Sequence, residues 1–224
     1  MRLFGNYLKV LVDSILYRDI VTRYQIRDDL ALKETAYYAA SNIGKKVSFT
    51  KLSQLLGLSN AITVKHYFSH LESVYLMFLI RRYDPSLKKQ LANTKVMYGI
   101  DSALCRLIGF RPTDDEGRFL ENIVFLELKR RQHEIFFHKG KKGCDFLLRN
   151  GTVITHAIQV SKQMSNPETR QRELAGLADA LAHYPDAEGF ILTEDEQATV
   201  NLKQSDGRNV EIRIIPIWKW LLSR

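Results

Sequence analysis

The spacing of apolar residues changes character once along this chain, near residue 100, and that change limits the fold more than any other feature. Before it, Leu8, Leu11, Val12, Ile15, Leu16 and Ile20 recur at three- and four-residue steps between Leu3 and Tyr24, the spacing of a helix with one buried face. A second helix is predicted over Leu30 to Ala40, closed by Ser41-Asn42-Ile43-Gly44,. A short helix then runs from the N-cap Ser48 through Leu52, Leu55 and Leu56 to Gly57, and Ser59 caps another from Ala61 to about Val74,. In that last helix Val64, Tyr67, Phe68, Leu71 and Val74 face inward while Lys65, His66 and Ser69 face outward. Two helices joined by a short turn make helix-turn-helix geometry. Tyr75 to Asp84 and Lys95 to Asp101 read as strands flanking a loop, so residues 1–100 are expected to form a helical, winged-helix-like domain with this hairpin as its wing.

Beyond Asp101 strands alternate with helices. A helix is predicted over Arg118 to Arg131, strands over Glu134 to His138, Cys144 to Arg149 and Thr152 to Ser161, a helix over Thr169 to Ala182, and strands over Gly189 to Leu192 and Val210 to Ile217. The last strand ends in Trp218-Lys219-Trp220. Residues 101–224 are therefore expected to form an α/β domain (α+β overall for the chain) around a small mixed sheet.

Charge follows the same division. The net charge of +8 comes wholly from residues 1–100, which carry 15 Lys and Arg against 7 Asp and Glu, whereas residues 101–224 carry 18 of each. An uneven basic excess points to an acidic partner, DNA being the expected one, with a solubilising surface as the alternative. Arg81, Arg82, Lys88, Lys89 and Lys95 gather on the predicted wing and Lys65 on the helix before it, positions suited to phosphates,. A protein-docking role for the same helices is the other reading. The longest apolar run, Val74 to Ile80, is far shorter than the ~20 residues of a membrane span,, and no export signal follows Met1, so a cytoplasmic protein with no membrane partner is expected. Cys105 and Cys144 show no pairing or metal-ligand pattern, which suits a reducing compartment,. The phosphate-cradling pattern G-x-x-x-x-G-K-[ST] is absent, so neither a nucleotide cofactor nor an ATPase activity of this chain alone is expected.

The residues with chemical potential are Glu121 on a helix, Asp145 on a strand, and Gln159-Val160-Ser161-Lys162 at the end of the next strand. One nuclease superfamily, PD-(D/E)xK, puts a carboxylate on the helix, Asp on one strand and Glu-x-Lys on its neighbour. The carboxylates hold Mg²⁺ and the lysine assists the attacking water. Here Gln159 stands for Glu and Ser161 for Lys. Glu121, Asp145 and Gln159 are the candidate metal ligands, with Mg²⁺ weakly held or absent, because Gln keeps an oxygen but loses the charge and Ser supplies no cation. Lys162 falls on the face opposite Gln159 unless a bulge intervenes. The hairpin tests the arrangement. A two-residue Asn150-Gly151 turn would pair Asp145 with His156 on the wrong face, and a three-residue loop of Arg149, Asn150 and Gly151 would pair it with Thr155 on the face of Gln159; the second is required. In the plainer reading Asp145 is a solvated strand-end carboxylate and Glu121 a surface partner of Arg118. Lys139, Lys141 and Lys142 precede Asp145 and could steer a phosphate backbone, and Arg172 is placed near the same cleft,. His66 and His70 are read as surface residues, since no HExxH pattern accompanies them.

Taken together, Tyr17-Arg18-Asp19-Ile20-Val21-Thr22-Arg23-Tyr24, Gly117-Arg118-Phe119-Leu120-Glu121-Asn122-Ile123-Val124-Phe125, Cys144-Asp145-Phe146, Ile158-Gln159-Val160-Ser161, Arg172-Glu173 and Ile215-Pro216-Ile217-Trp218-Lys219-Trp220-Leu221-Leu222 resemble the C-terminal region of a prokaryotic family of AAA-type ATPases. That region is a domain of unknown function with a winged helix and a restriction-endonuclease-like fold. The resemblance covers essentially the whole chain. It implies a relative whose P-loop ATPase is missing here and whose usual Glu-x-Lys is replaced at Gln159 and Ser161. The expected function is a nucleic-acid-binding, nuclease-like accessory module with impaired catalysis. An active Mg²⁺-dependent DNA nuclease, and a protein-docking module that regulates a separate ATPase, are the alternatives; the expected partners are DNA, such an ATPase, or further copies of the chain.

Overall fold

The computed structural model of the chain describes residues 2–110, 116–204 and 206–223. It is a mixed α/β protein, with N-terminal helices followed by strands and interspersed helices. The chain divides into two compact units, one of Met1–Ile80 with Thr94–Asp115 and one of Arg81–Asn93 with Glu116–Arg224. Relative to a boundary at residue 100, 81–93 fall with the second unit and 101–115 with the first.

In the first unit α1 (Arg2–Ser14) continues through a π-helical stretch, Ile15–Thr22. Next come α2 (Asp29–Ser41), β1 (Lys46–Val47), α3 (Phe49–Leu55), α4 (Ala61–Ser73) and β2 (Met77–Arg82), whose last two residues belong to the second unit. Ser48 caps α3 by accepting from the Lys51 N–H. The cap of α4 is Asn60, not Ser59: its Oδ1 accepts from the N–H groups of Ile62 and Thr63 at 2.9 and 3.1 Å, which leaves Ser59 one residue outside the helix. Gly57, at φ 65°, makes the turn that lets α3 and α4 pack together,. As expected, Val64, Tyr67, Phe68 and Leu71 are buried and Lys65, His66 and Ser69 exposed.

The two strands of the predicted wing, β2 and β3 (Lys95–Gly99), are neighbours in the sheet, but what joins them is not a simple loop. The connection holds a helix, α5 (Leu87–Ala92), and the basic residues of the wing divide between the units: Arg81, Arg82, Lys88 and Lys89 in the second, Lys95 in the first. Leu87 and Leu91 are exposed and Gln90 is the residue α5 buries, so no apolar periodicity announced it. The first unit ends with α6 (Ser102–Ile108), capped by Asp101, whose side chain accepts from the Leu104 N–H at 2.6 Å. This helix was also not predicted.

The second unit continues with α7 (Glu116–Arg130), β4 (Glu134–Lys139), β5 (Gly143–Asn150), β6 (Val153–Val160), α8 (Pro167–His183), β7 (Glu188–Thr193), β8 (Ala198–Lys203), β9 (Asn209–Pro216) and α9 (Ile217–Leu222). Arg81 and Arg82 pair in parallel with Phe136 and Phe137 of β4. From β4 the strands follow in the order β4, β5, β6, β7, β9, β8, with β6, β7 and β9 parallel and the other neighbours antiparallel. α8 is the crossover between parallel β6 and β7, and it is capped by Asn166 with Pro167 at its first turn,. Its Leu177, Ala180 and Leu181 are buried against Leu147, Ala157, Ile191 and Ile212 of the sheet. Gly176 brings the helix closest, because a Cβ there would lie 2.4 Å from the backbone oxygen of Gly143. The helix is thereby fixed against the first residue of β5, two positions before Asp145.

The hairpin between β5 and β6 follows neither register considered from the sequence. Asn150 pairs with Val153 around a two-residue Gly151-Thr152 turn with Gly151 at φ 60°, and a shift between Leu148 and Arg149 then pairs Leu148 with His156 and Phe146 with Ile158. That register sets Asp145 opposite Gln159, so both side chains share one face, as the site requires.

Candidate functional site

Asp145 and Gln159 come together where β5 and β6 lie side by side. The Asp145 N–H donates to Gln159 Oε1 at 3.2 Å, and Asp145 Oδ2 accepts from the Val160 N–H at 2.9 Å. Gln159 Nε2 donates to Glu173 Oε2 of α8 at 2.5 Å, and the other oxygen of Glu173 takes two bonds from the Arg172 guanidinium, at 2.6 and 3.0 Å. A carboxylate only accepts, so the amide has its nitrogen toward Glu173 and its oxygen toward the strand. Gln159 and Glu173 are both buried, while the Arg172 side chain is largely exposed.

Glu173 was not assigned to the site from the sequence. The available signal was its position on the apolar stripe of α8, where Glu173, Leu177, Ala180 and Leu181 share the buried side,. A carboxylate on such a stripe needs a partner in the core, and Gln159 is that partner.

Burial pushes the Asp145 carboxyl up to about 7. The Val160 N–H pulls it down, the neighbouring Glu173 charge raises it, and Arg172 and Arg118 lower it by smaller amounts,. A carboxyl raised in the folded state above its unfolded value stabilises the fold at low pH, and that contribution is lost as pH rises from about 4 through about 7,. Asp145→Asn keeps an oxygen for the Val160 N–H and removes the ionisation. It is expected to be about 1–3 kcal/mol more stable than the parent at pH 8 and equal to it near pH 4, as read by urea unfolding at the two pH values.

The other residues singled out from the sequence are placed as follows. Glu121 is half-buried on α7, the helix that packs against β4 and β6, one turn after Arg118. Ser161 is buried just past β6, where its N–H donates to the Leu192 carbonyl and its hydroxyl to the Gln163 carbonyl at 3.2 Å. Lys162 lies past the end of β6, and its ammonium is engaged by Glu116 at the start of α7. Lys139, Lys141 and Lys142 are exposed around the β4–β5 turn. Lys65, Arg81, Lys88 and Lys89 are exposed, and Arg82 is half-buried. Lys95 is half-buried with its ammonium 5.3 Å from the Phe49 ring centre. His66 is exposed, and His70 stacks on Tyr24 at 4.0 Å. Cys105 and Cys144 are both buried as free thiols, and no described helix is long and apolar enough to cross a membrane.

Gln159 and Glu173 do not fit Mg²⁺, which takes charged or unengaged oxygens in near-octahedral geometry. Both Glu173 oxygens are already bonded, and the Gln159 oxygen is neutral and accepts from the backbone.

A family model described as a domain of unknown function (DUF8612) matches residues 2–114, before the residues of this site. The chain is similar to the uncharacterized protein MJ1544 of Methanocaldococcus jannaschii, with 28% identity over 227 residues, covering 96% of this chain and 50% of that protein. It is similar to an uncharacterized protein of Haemophilus influenzae, with 30% identity over 221 residues, covering 96% and 52%. The chain thus spans about half the length of the curated relatives it matches.

Proposed function

We propose that this chain, which belongs to the DUF8612 family, is a nucleic-acid-binding module of nuclease-like build whose cutting chemistry is impaired. In this reading the first unit is winged-helix-like and the second restriction-endonuclease-like, and the setting is cytoplasmic. The observation that carries the proposal is the engagement of Gln159: the place of a charged metal ligand holds a neutral amide bonded both to the Asp145 backbone and to a buried Glu173. Ser161 spends its hydroxyl on a carbonyl, and Lys162 is engaged by Glu116. None of Gln159, Ser161 and Lys162 offers an unengaged cation or a charged metal ligand beside a phosphate.

Binding draws support from the net charge of +8 and from the exposed Lys139, Lys141 and Lys142, which lead into β5 just before Asp145,. A second reading, a docking module that acts on a separate ATPase, draws on the half-length match, since about half of each of those relatives lies outside the matched region. Salt separates the two. Fluorescence anisotropy of a labelled duplex at 50 and 200 mM salt is expected to show affinity falling by roughly 10²-fold or more if about five phosphates are contacted; undetectable binding at 50 mM salt would favour docking.

A further inference from the structure

A second cluster of chemically capable side chains lies at the other end of α8, apart from the Asp145 group. We infer that His138, Asp179 and His183 form a binding site for a divalent transition-metal ion of the Zn²⁺ class. His138 projects from β4, and Asp179 and His183 stand one turn apart on α8. One ligand-type atom from each lies within 4.8 Å of the others. His138 Nε2 is 3.2 Å from Asp179 Oδ2, and His183 Nδ1 is 4.0 Å from Asp179 Oδ1. Ligands about 2.0–2.1 Å from a tetrahedral Zn²⁺ stand roughly 3.3 Å apart, the separation that His138 Nε2 and Asp179 Oδ2 already have, and Nε2 of His183 is the nitrogen left to complete the set.

Three features support a built site. The cluster is closed on one side and open on the other: His138 and Asp179 are 5% and 14% exposed, while His183 is 54% exposed and leaves a way in and room for a water ligand. The donors are held from behind, because the Lys142 N–H donates to Asp179 Oδ2 at 3.0 Å and His183 Nδ1 donates to the Asp179 carbonyl at 2.7 Å. A backbone carbonyl of that kind fixes the tautomer of a metal-ligating imidazole and leaves its other nitrogen a lone pair. Gly140 keeps the space clear, since a Cβ there would lie 2.3 Å from Asp179 Oδ2 and 2.7 Å from His138 Nε2. Two imidazoles and one carboxylate select borderline transition ions over Mg²⁺ or Ca²⁺, which take oxygen ligands. The inference does not depend on nucleic-acid binding.

The test uses the full chain, stripped with a chelator and titrated with Zn²⁺ by calorimetry, with Co²⁺ as a visible-absorption probe of the ligand field. The expected result is one equivalent bound, a ligand-field band with Co²⁺, and no response to Mg²⁺ at the same concentration. His183→Ala, an exposed change that the fold tolerates, is expected to weaken Zn²⁺ binding by roughly tenfold or more, as is Asp179→Asn, while His66→Ala in the other unit leaves it unchanged. Failure of the parent to bind one equivalent, equal binding by His183→Ala, or an equal response to Mg²⁺ would each overturn the inference.

Discussion

Gln159→Glu is expected to cost about 3–5 kcal/mol of stability at pH 8, the scale associated with an uncompensated charge in a protein interior. The change introduces the residue type that the proposed nuclease resemblance would place there, so it tests whether the amide at 159 is a fitted part. Its Nε2 lies 2.5 Å from Glu173 Oε2 and its oxygen faces the Asp145 N–H. A glutamate keeps the second contact and turns the first into two carboxylate oxygens in apposition, with Asp145 a third acid beside them. One must then take up a proton, and each raised carboxyl removes stability as pH rises through its folded value. The deficit is therefore expected to shrink toward pH 4, which urea unfolding at both pH values reads directly. A variant as stable as the parent at pH 8 would mean that Gln159 and Glu173 are not coupled.

The second large effect concerns the basic turn. Replacing Lys139, Lys141 and Lys142 together by Glu is expected to weaken duplex binding by roughly 10²- to 10³-fold at moderate salt, and to flatten the dependence of log K on log salt by about 2.7, three contacts at about 0.9 each. The three side chains are exposed, and the one anchoring bond from this turn to Asp179 comes from the Lys142 backbone N–H. The unfolding midpoint is therefore expected to move little, which separates lost binding from lost fold. An unchanged slope would remove the β4–β5 turn from the interface.

Much of this arrangement is legible in the sequence where a periodic pattern meets a buried surface. Helices α1 to α4 of the first unit and strands β4 to β6 follow from three-four and two-residue spacing, because the core accepts a single phase of each pattern. The sequence left two registers open and required the one that set Asp145 on the face of Gln159; the turn that brings the two together is neither, because a bulge moves the register by one residue and depends on local backbone energies around Thr155 that patterning does not record,. Other elements escaped for different reasons. α5 buries Gln90 rather than an apolar stripe, and α9 follows directly on a strand with Trp218 largely exposed. β8 does alternate, with Ala198, Val200 and Leu202 inward and Thr199, Asn201 and Lys203 outward, but its short polar run resembles a loop, as suits an edge strand. Glu173 and the cluster of His138, Asp179 and His183 join residues far apart in sequence, and only the placement of α8 across β4, β5 and β6 brings them together.

That placement links the fold to its proposed role. One side of α8 meets the sheet at Gln159 through Glu173, at Gly143 through Gly176, and at His138 and Lys142 through Asp179. A single helix thus holds the Gln159 amide, proposed to replace a metal-binding glutamate, and it anchors the basic turn. The account requires these two properties to coexist, an intact phosphate-binding surface beside a site that does not cut.

Incubation of the full chain with supercoiled plasmid and Mg²⁺, resolved on a native gel and again after the protein is removed, tests this most directly. The expected result is retarded plasmid on the native gel and unbroken supercoiled DNA after protein removal. Nicked or linear product that disappears in Asp145→Ala would contradict the account and establish a working nuclease.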